Sequence, residues 1–158
     1  MLFLRSLFFT ILLPGTVTVL IPYWLVRSRS PGSPLSKHAL GYFGLPLIVI
    51  GATALLWCIW AFFASGRGTL APINPPKHLV VRGLYRYVRN PMYVAVVTIL
   101  MGEAIFFLSR PILIWAGTFF LLANLFVAFY EEPVLKHQFG EAYKEYTRNV
   151  GRWIPRIR

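Results

Sequence analysis

The chain has no aspartate and only five acidic residues in 158. The first carboxylate is Glu103, so chemistry that needs an acid is confined to Glu103, Glu131, Glu132, Glu141 and Glu145. Cysteine occurs once, at Cys58. That excludes an intrachain disulfide and a metal site built on thiolates. The three histidines, His38, His78 and His137, are scattered, and no metal constellation is read from them. Charged residues make up 13% of the chain, roughly half the ~25% usual in soluble domains. An ordinary soluble fold is therefore not expected.

What remains is largely hydrocarbon, with 57% of residues hydrophobic. Four apolar segments stand out, at residues 7–26, 42–64, 92–108 and 112–130. Each falls in the range of about 17–25 residues that crosses a bilayer as an α-helix. Lipid offers no hydrogen-bond partner to the backbone, so helices are the spanning form. The expected fold is an all-α integral membrane protein with about four transmembrane helices and a cytoplasmic C-terminal amphipathic helix. It forms one domain over residues 1–158. The first segment reads as a retained anchor, since Arg27 and Arg29 stop it and no small-residue cleavage site follows.

The net charge is +11. With four spans, twelve of the sixteen cationic residues fall on the N-terminus, the loop at residues 65–91 and the tail at residues 131–158. Only Arg27, Arg29, Lys37 and Arg110 lie opposite. The positive-inside rule puts both termini and the long loop in the cytoplasm. The surplus suits anionic lipid. Nucleic acid is not an expected partner, because the aromatics lie inside the spans rather than among the basic residues.

Pro14 and Pro22 predict kinks in the first span. Gly41, Gly44 and Gly51 would let another helix approach the second closely. In the long loop, Gly66, Gly68, Pro72, Pro75 and Pro76 make a non-helical connector. Leu79, Val80, Val81, Leu84, Tyr85 and Tyr87 then predict a segment folded back onto the helix ends. Only Ser109-Arg110-Pro111 separates the last two spans, which predicts a tight antiparallel hairpin. That hairpin returns Glu131 and Glu132 to the level of Asn90 and Pro91. Beyond it, Leu135, Phe139, Tyr143 and Tyr146 recur on one helical face. Pro133 fits the first turn, Gly140 marks a bend, and Trp153 suits an interfacial anchor.

Carboxylates are costly in a low-dielectric setting, on the order of 2.5–3.5 kcal/mol at a span centre and less at its ends. Glu131 and Glu132 therefore call for partners, and Arg86 and Arg89 are the nearest candidates. The residues leave two readings open. The acids cap the helix and pair with arginines, or they hold a cationic or polyhydroxylated ligand by charge-assisted hydrogen bonds. Glu103, in mid-span, is expected to be protonated and bonded to a neighbouring helix.

The run Gly83-x-Tyr85-x-x-x-Arg89-Asn90-Pro91-x-Tyr93, then a hairpin, Glu131-Glu132 and Phe139-Gly140-x-x-Tyr143-x-x-Tyr146 resembles the membrane methyltransferases. These include isoprenylcysteine carboxyl methyltransferases and phospholipid N-methyltransferases. The resemblance covers residues 66–158 and implies an S-adenosylmethionine site. It implies that His78, Leu79, Val80 and Tyr85 wrap the adenosine, while Asn90, Pro91 and Tyr93 line the pocket. Glu131 and Glu132 would hold the cofactor's polar groups, and Arg89, Asn90 and Tyr93 would stand at the reacting centre. The implied partners are the bilayer and a lipid or small lipophilic acceptor. Asn90 stands where the family turn often has histidine, and an amide takes no proton. Residues 121–130 contain no basic side chain, which argues against a prenylcysteine carboxylate as acceptor. Two alternatives compete. The C-terminal parts of sterol reductases are similar, implying an NADPH-dependent membrane reductase, and a non-enzymatic membrane subunit would use the polar groups structurally.

Overall fold

The computed structural model describes residues 12–28, 39–64, 79 and 81–156. Among these no strand forms; the chain is helical apart from turns and one isolated parallel bridge between Val88 and Gly151. Five helices can be named: α1 (Leu12–Arg27), α2 (Gly44–Ala64), α3 (Pro91–Phe106), α4 (Arg110–Phe126) and α5 (Glu132–Asn149). Gly41–Ala61 and Arg110–Asn149 are long and apolar enough to cross a membrane. The apolar part of the second ends at Tyr130, and from Glu131 the rod turns polar. α1 and α3 are shorter apolar helices, and the expected first span begins outside the described residues.

The tightest packing joins α2 to α3. A Cβ on Gly102 would lie 2.8 Å from the Gly44 carbonyl oxygen and 2.7 Å from Ile48 Cγ1. The two backbones therefore touch where side chains are missing. Lipid competes with apolar side chains, so such close van der Waals contact is what holds membrane helices together. The sequence pointed to Gly44 and Gly51 on α2; Gly102 supplies the matching gap on α3. Leu55, Ala95, Val96, Ile99, Leu100 and Ala116 form the core beside this contact.

In the first span, where kinks were expected at Pro14 and Pro22, the helix carries a π-helical turn at Thr16–Leu20. Pro22 has no N–H, so the widened turn leaves the Val17 carbonyl without its intrahelical donor. Trp115 of α4 fills the gap, its Nε1 donating to Val17 O at 3.1 Å. A missing donor on α1 thus becomes a tie to α4.

α3 and α4 form the expected hairpin. Ser109 N donates to Ala104 O at 2.8 Å and Leu108 N to Ile105 O at 3.1 Å. This double closure is the Schellman motif, with the residue past the cap in left-handed conformation. Leu108 occupies it with φ 46°, where a side chain is strained. α4 then runs through a π-helical turn, Val127–Glu131, straight into α5. Pro133 follows that turn by two residues, as Pro22 follows the first. Gly140 breaks the regular helix at φ 52° and ψ −122°, at the expected bend.

Candidate functional site

The polar residues gather at the end of the hairpin where α3 begins and α4 gives way to α5. The chain enters through a 3-10 turn, Gly83–Arg86. It then pairs with the C-terminal tail: Val88 bridges Gly151, and Arg89 N donates to Gly151 O at 2.8 Å. Asn90 is buried, and its Nδ2 donates to Arg152 O at 3.3 Å. Pro91 is also buried in the first turn of α3, where its missing N–H costs nothing. The tail is thereby strapped along the Arg-Asn-Pro turn.

Glu132 sits at the centre, only 6% exposed. Arg89 Nη1 donates to its Oε1 at 2.8 Å. Arg152 grips it with two bonds, Nε to Oε1 at 2.9 Å and Nη2 to Oε2 at 2.7 Å. Both carboxylate oxygens are therefore engaged by cations. Of the two expected partners only Arg89 arrives; Arg86 is exposed, and Arg152 takes its place. A forked guanidinium matches a carboxylate's two oxygens, which makes this the stronger of the two pairings.

Glu131, one residue earlier on the π-helical turn, is in a different state. Among the described residues its hydrogen-bond partner is Tyr93, whose hydroxyl donates to Oε2 at 3.4 Å, longer than an ordinary O–H···O bond of about 2.5–3.0 Å. Burial raises the Glu131 carboxyl above its usual range; the Tyr93 hydroxyl pulls the other way, and the Glu132 charge adds to the rise. The two neighbouring acids are thus unlike: one saturated, the other poorly matched.

The other candidates divide. His78 and Val80 lie outside the described residues. Leu79 packs against the buried cluster of Tyr143, Tyr146 and Val150. The Tyr85 carbonyl accepts from Tyr146 Oη at 2.6 Å. Burial drives the Tyr85 phenol well above its usual range, with Glu131 and Tyr93 among the groups adding to the rise. Tyr85, Tyr93 and Glu131 therefore share one electrostatic neighbourhood. The buried Nε–H of Arg89 has no acceptor among the described residues.

Trp153, expected at the interface, is half-buried: its Nε1 donates to Asn124 Oδ1 at 3.1 Å, and its ring lies 6.3 Å from Tyr93 and 5.2 Å from Phe120. The tail's pairing with the turn brings the indole to this amide, which satisfies its N–H. One expectation is corrected. Glu103 does not bond to a neighbouring helix through Oε2, which is buried without a partner among the described residues. It lies about 20 Å along α3 from Asn90, at the opposite end.

Arg152 and Asn124 were missed in the sequence as members of this cluster, and Trp153 was named there only as an anchor. Arg152 is one of several tail cations, with nothing local to single it out. Asn124 gave a signal, as the only side-chain amide in α4, and a half-buried amide on an apolar helix calls for a partner.

The arrangement offers a carboxylate weakly held beside aromatic rings, a buried N–H donor and a rigid frame behind them. Such a site suits a ligand with cationic and hydroxyl groups. A family model described as phospholipid methyltransferase matches residues 40–142. The match takes in α2, the Arg-Asn-Pro turn, the hairpin and both glutamates, and stops before Arg152 and Trp153. No curated protein matches the chain.

Proposed function

The chain belongs to the phospholipid methyltransferase family, and from that premise we propose a membrane-embedded, S-adenosylmethionine-dependent methyltransferase acting on a lipid or small lipophilic acceptor at the cytoplasmic interface. The observation that carries the reading is the unequal pair of acids. Glu132 is saturated by Arg89 and Arg152, which leaves Glu131, held among the described residues by the long Tyr93 contact, able to exchange its partner for a ligand.

The residues fit the cofactor. Glu131 would take its ammonium group or ribose hydroxyls, and the Tyr85 and Tyr93 rings suit a cationic sulfur. Arg89 Nε–H, buried without an acceptor among the described residues, would take a carboxylate oxygen. His78, Leu79 and Val80 would cover the adenosine, as the family resemblance implies. When bound, S-adenosylmethionine supplies an activated methyl group. The protein's task is then to orient donor and acceptor and exclude water, which accounts for most of the rate in such transfers. Asn90 fixes the turn against the tail and has no proton to exchange, so no base role is assigned to it.

Depth in the bilayer supports a lipid-borne acceptor. The 16 residues of α3 are about 24 Å long, short of a hydrocarbon core of about 30 Å. The acids then lie near the boundary between acyl chains and headgroups, open to cofactor from the cytoplasm and to acceptor from the lipid. Four spans with both termini cytoplasmic complete the reading, in line with the cationic asymmetry of the loops.

Calorimetry on the detergent-purified chain tests this. Micromolar binding of S-adenosylhomocysteine without NADPH binding is expected. The reverse pattern would favour a reductase, and no binding of either would favour a non-enzymatic subunit. Arg110→Ala, at the far end of the hairpin, should leave binding unchanged.

A further inference from the structure

We infer that Arg152, in the tail beyond the residues matched by the family model, is a positioning residue of the proposed cofactor site and acts on it through Glu132 and Glu131. The inference rests on the methyltransferase reading and extends it to a segment which that reading does not use.

Arg152 is bound at both ends. Its guanidinium forks onto the two oxygens of Glu132, at 2.9 and 2.7 Å, and its carbonyl accepts from Asn90 Nδ2 at 3.3 Å. One residue thus clamps the acid at the head of α5 to the turn at the head of α3. Its neighbours extend the clamp. Gly151 O receives Arg89 N–H, and Trp153 reaches Asn124 and the ring of Tyr93.

The consequence falls on Glu131. It shares a peptide bond with Glu132 and ends the π-helical turn Val127–Glu131, whose closing bond runs from Glu132 N to Val127 O. Fixing the Glu132 carboxylate fixes that peptide and the direction in which Glu131 leaves the turn. Without the fork, Arg89 alone would hold Glu132 through Oε1. One bond leaves the carboxylate free to swing, and the acid beside it loses its aim. Arg152 then matters because of where its fork points Glu131, more than because it neutralises a charge. An ammonium at this position would keep the charge without the planar fork.

The test measures S-adenosylhomocysteine affinity and melting temperature for Arg152→Gln, Arg152→Lys, Glu131→Gln and the Arg152→Gln/Glu131→Gln double variant. Arg152→Gln should weaken binding about tenfold and Arg152→Lys should recover part of it. In the double variant the Arg152 substitution should add at most about twofold, because a residue acting through Glu131 has nothing left to act on. Additive losses would overturn the inference, as would equal affinity of Arg152→Gln and the parent. If Arg152→Gln does not fold, Arg152→Lys decides. Weaker binding at an unchanged melting temperature upholds the role, while parental affinity or loss of fold in both variants ends it. Failure of the parent chain to bind S-adenosylhomocysteine would instead strike the methyltransferase reading itself.

Discussion

α3 is held in two ways at two places. Along its middle it meets α2 by having nothing in the way: Gly102 and Gly44 bring backbone to backbone, with Ile48, Ile99 and Leu100 filling the flanks. At its first turn it is held by charge, through Arg89, Glu132 and Arg152. The first contact is many small dispersion terms that tolerate no added volume. The second is a few strong bonds that tolerate no missing partner. The protein has concentrated its rigidity and its polar chemistry where the helices end, and left the apolar stretch to shape.

The contrast can be broken at either place. The largest effect should come from Glu132→Gln, which leaves two guanidiniums against a neutral amide. Breaking a buried pair costs about 3–5 kcal/mol, and thermal unfolding in detergent should show a loss of that size. A loss no larger than an ordinary surface substitution would mean the cluster is not a structural clamp. Next comes Gly102→Val, where added volume faces the Gly44 carbonyl and Ile48. Overpacking of about 1–3 kcal/mol is expected, visible as a lowered melting temperature with ligand affinity per folded molecule unchanged.

Glu131→Gln should separate site from scaffold, weakening S-adenosylhomocysteine about tenfold, or 1.4 kcal/mol, while the melting temperature holds. The pH dependence sharpens it. The Glu131 carboxyl is raised in the folded chain, chiefly by burial, so its contribution to apo stability is present at low pH and falls as pH rises through the raised value. Ligand affinity should run the opposite way, falling as pH drops through that same value, because the ionised acid is the binding form. A parallel response of the two measurements would remove Glu131 from the site. Leu108→Gly should relieve the left-handed strain at φ 46° and raise stability by about 1 kcal/mol. Smallest of all, Lys144→Ala breaks only an exposed pair with Glu141, and melting temperature and binding should both stay put.

The helices were largely legible in the sequence because hydrocarbon runs and lipid chemistry leave few alternatives. The glycines of α2 announced a close approach, and Ser109-Arg110-Pro111 announced the hairpin that carries Glu131 back toward Tyr93. The partners of the acids were less so. Arg89 could be named because it adjoins the turn, whereas Arg152 could not, because its value depends on a tail path set by the bridge to Val88. The pairing of Trp153 with Asn124 was hidden for the same reason: only the path of the tail brings the indole within reach of that half-buried amide.

Composition and periodicity by themselves determined that this chain is helical, membrane-bound and poor in acids, and where along it the acids fall. Which acid is locked and which is left to meet a ligand was decided only in three dimensions. A π-helical turn places Glu131 and Glu132 in different surroundings, and the returning tail supplies a guanidinium to just one of them. Adjacent identical side chains carry no local difference, so only distant chain segments could make them unlike.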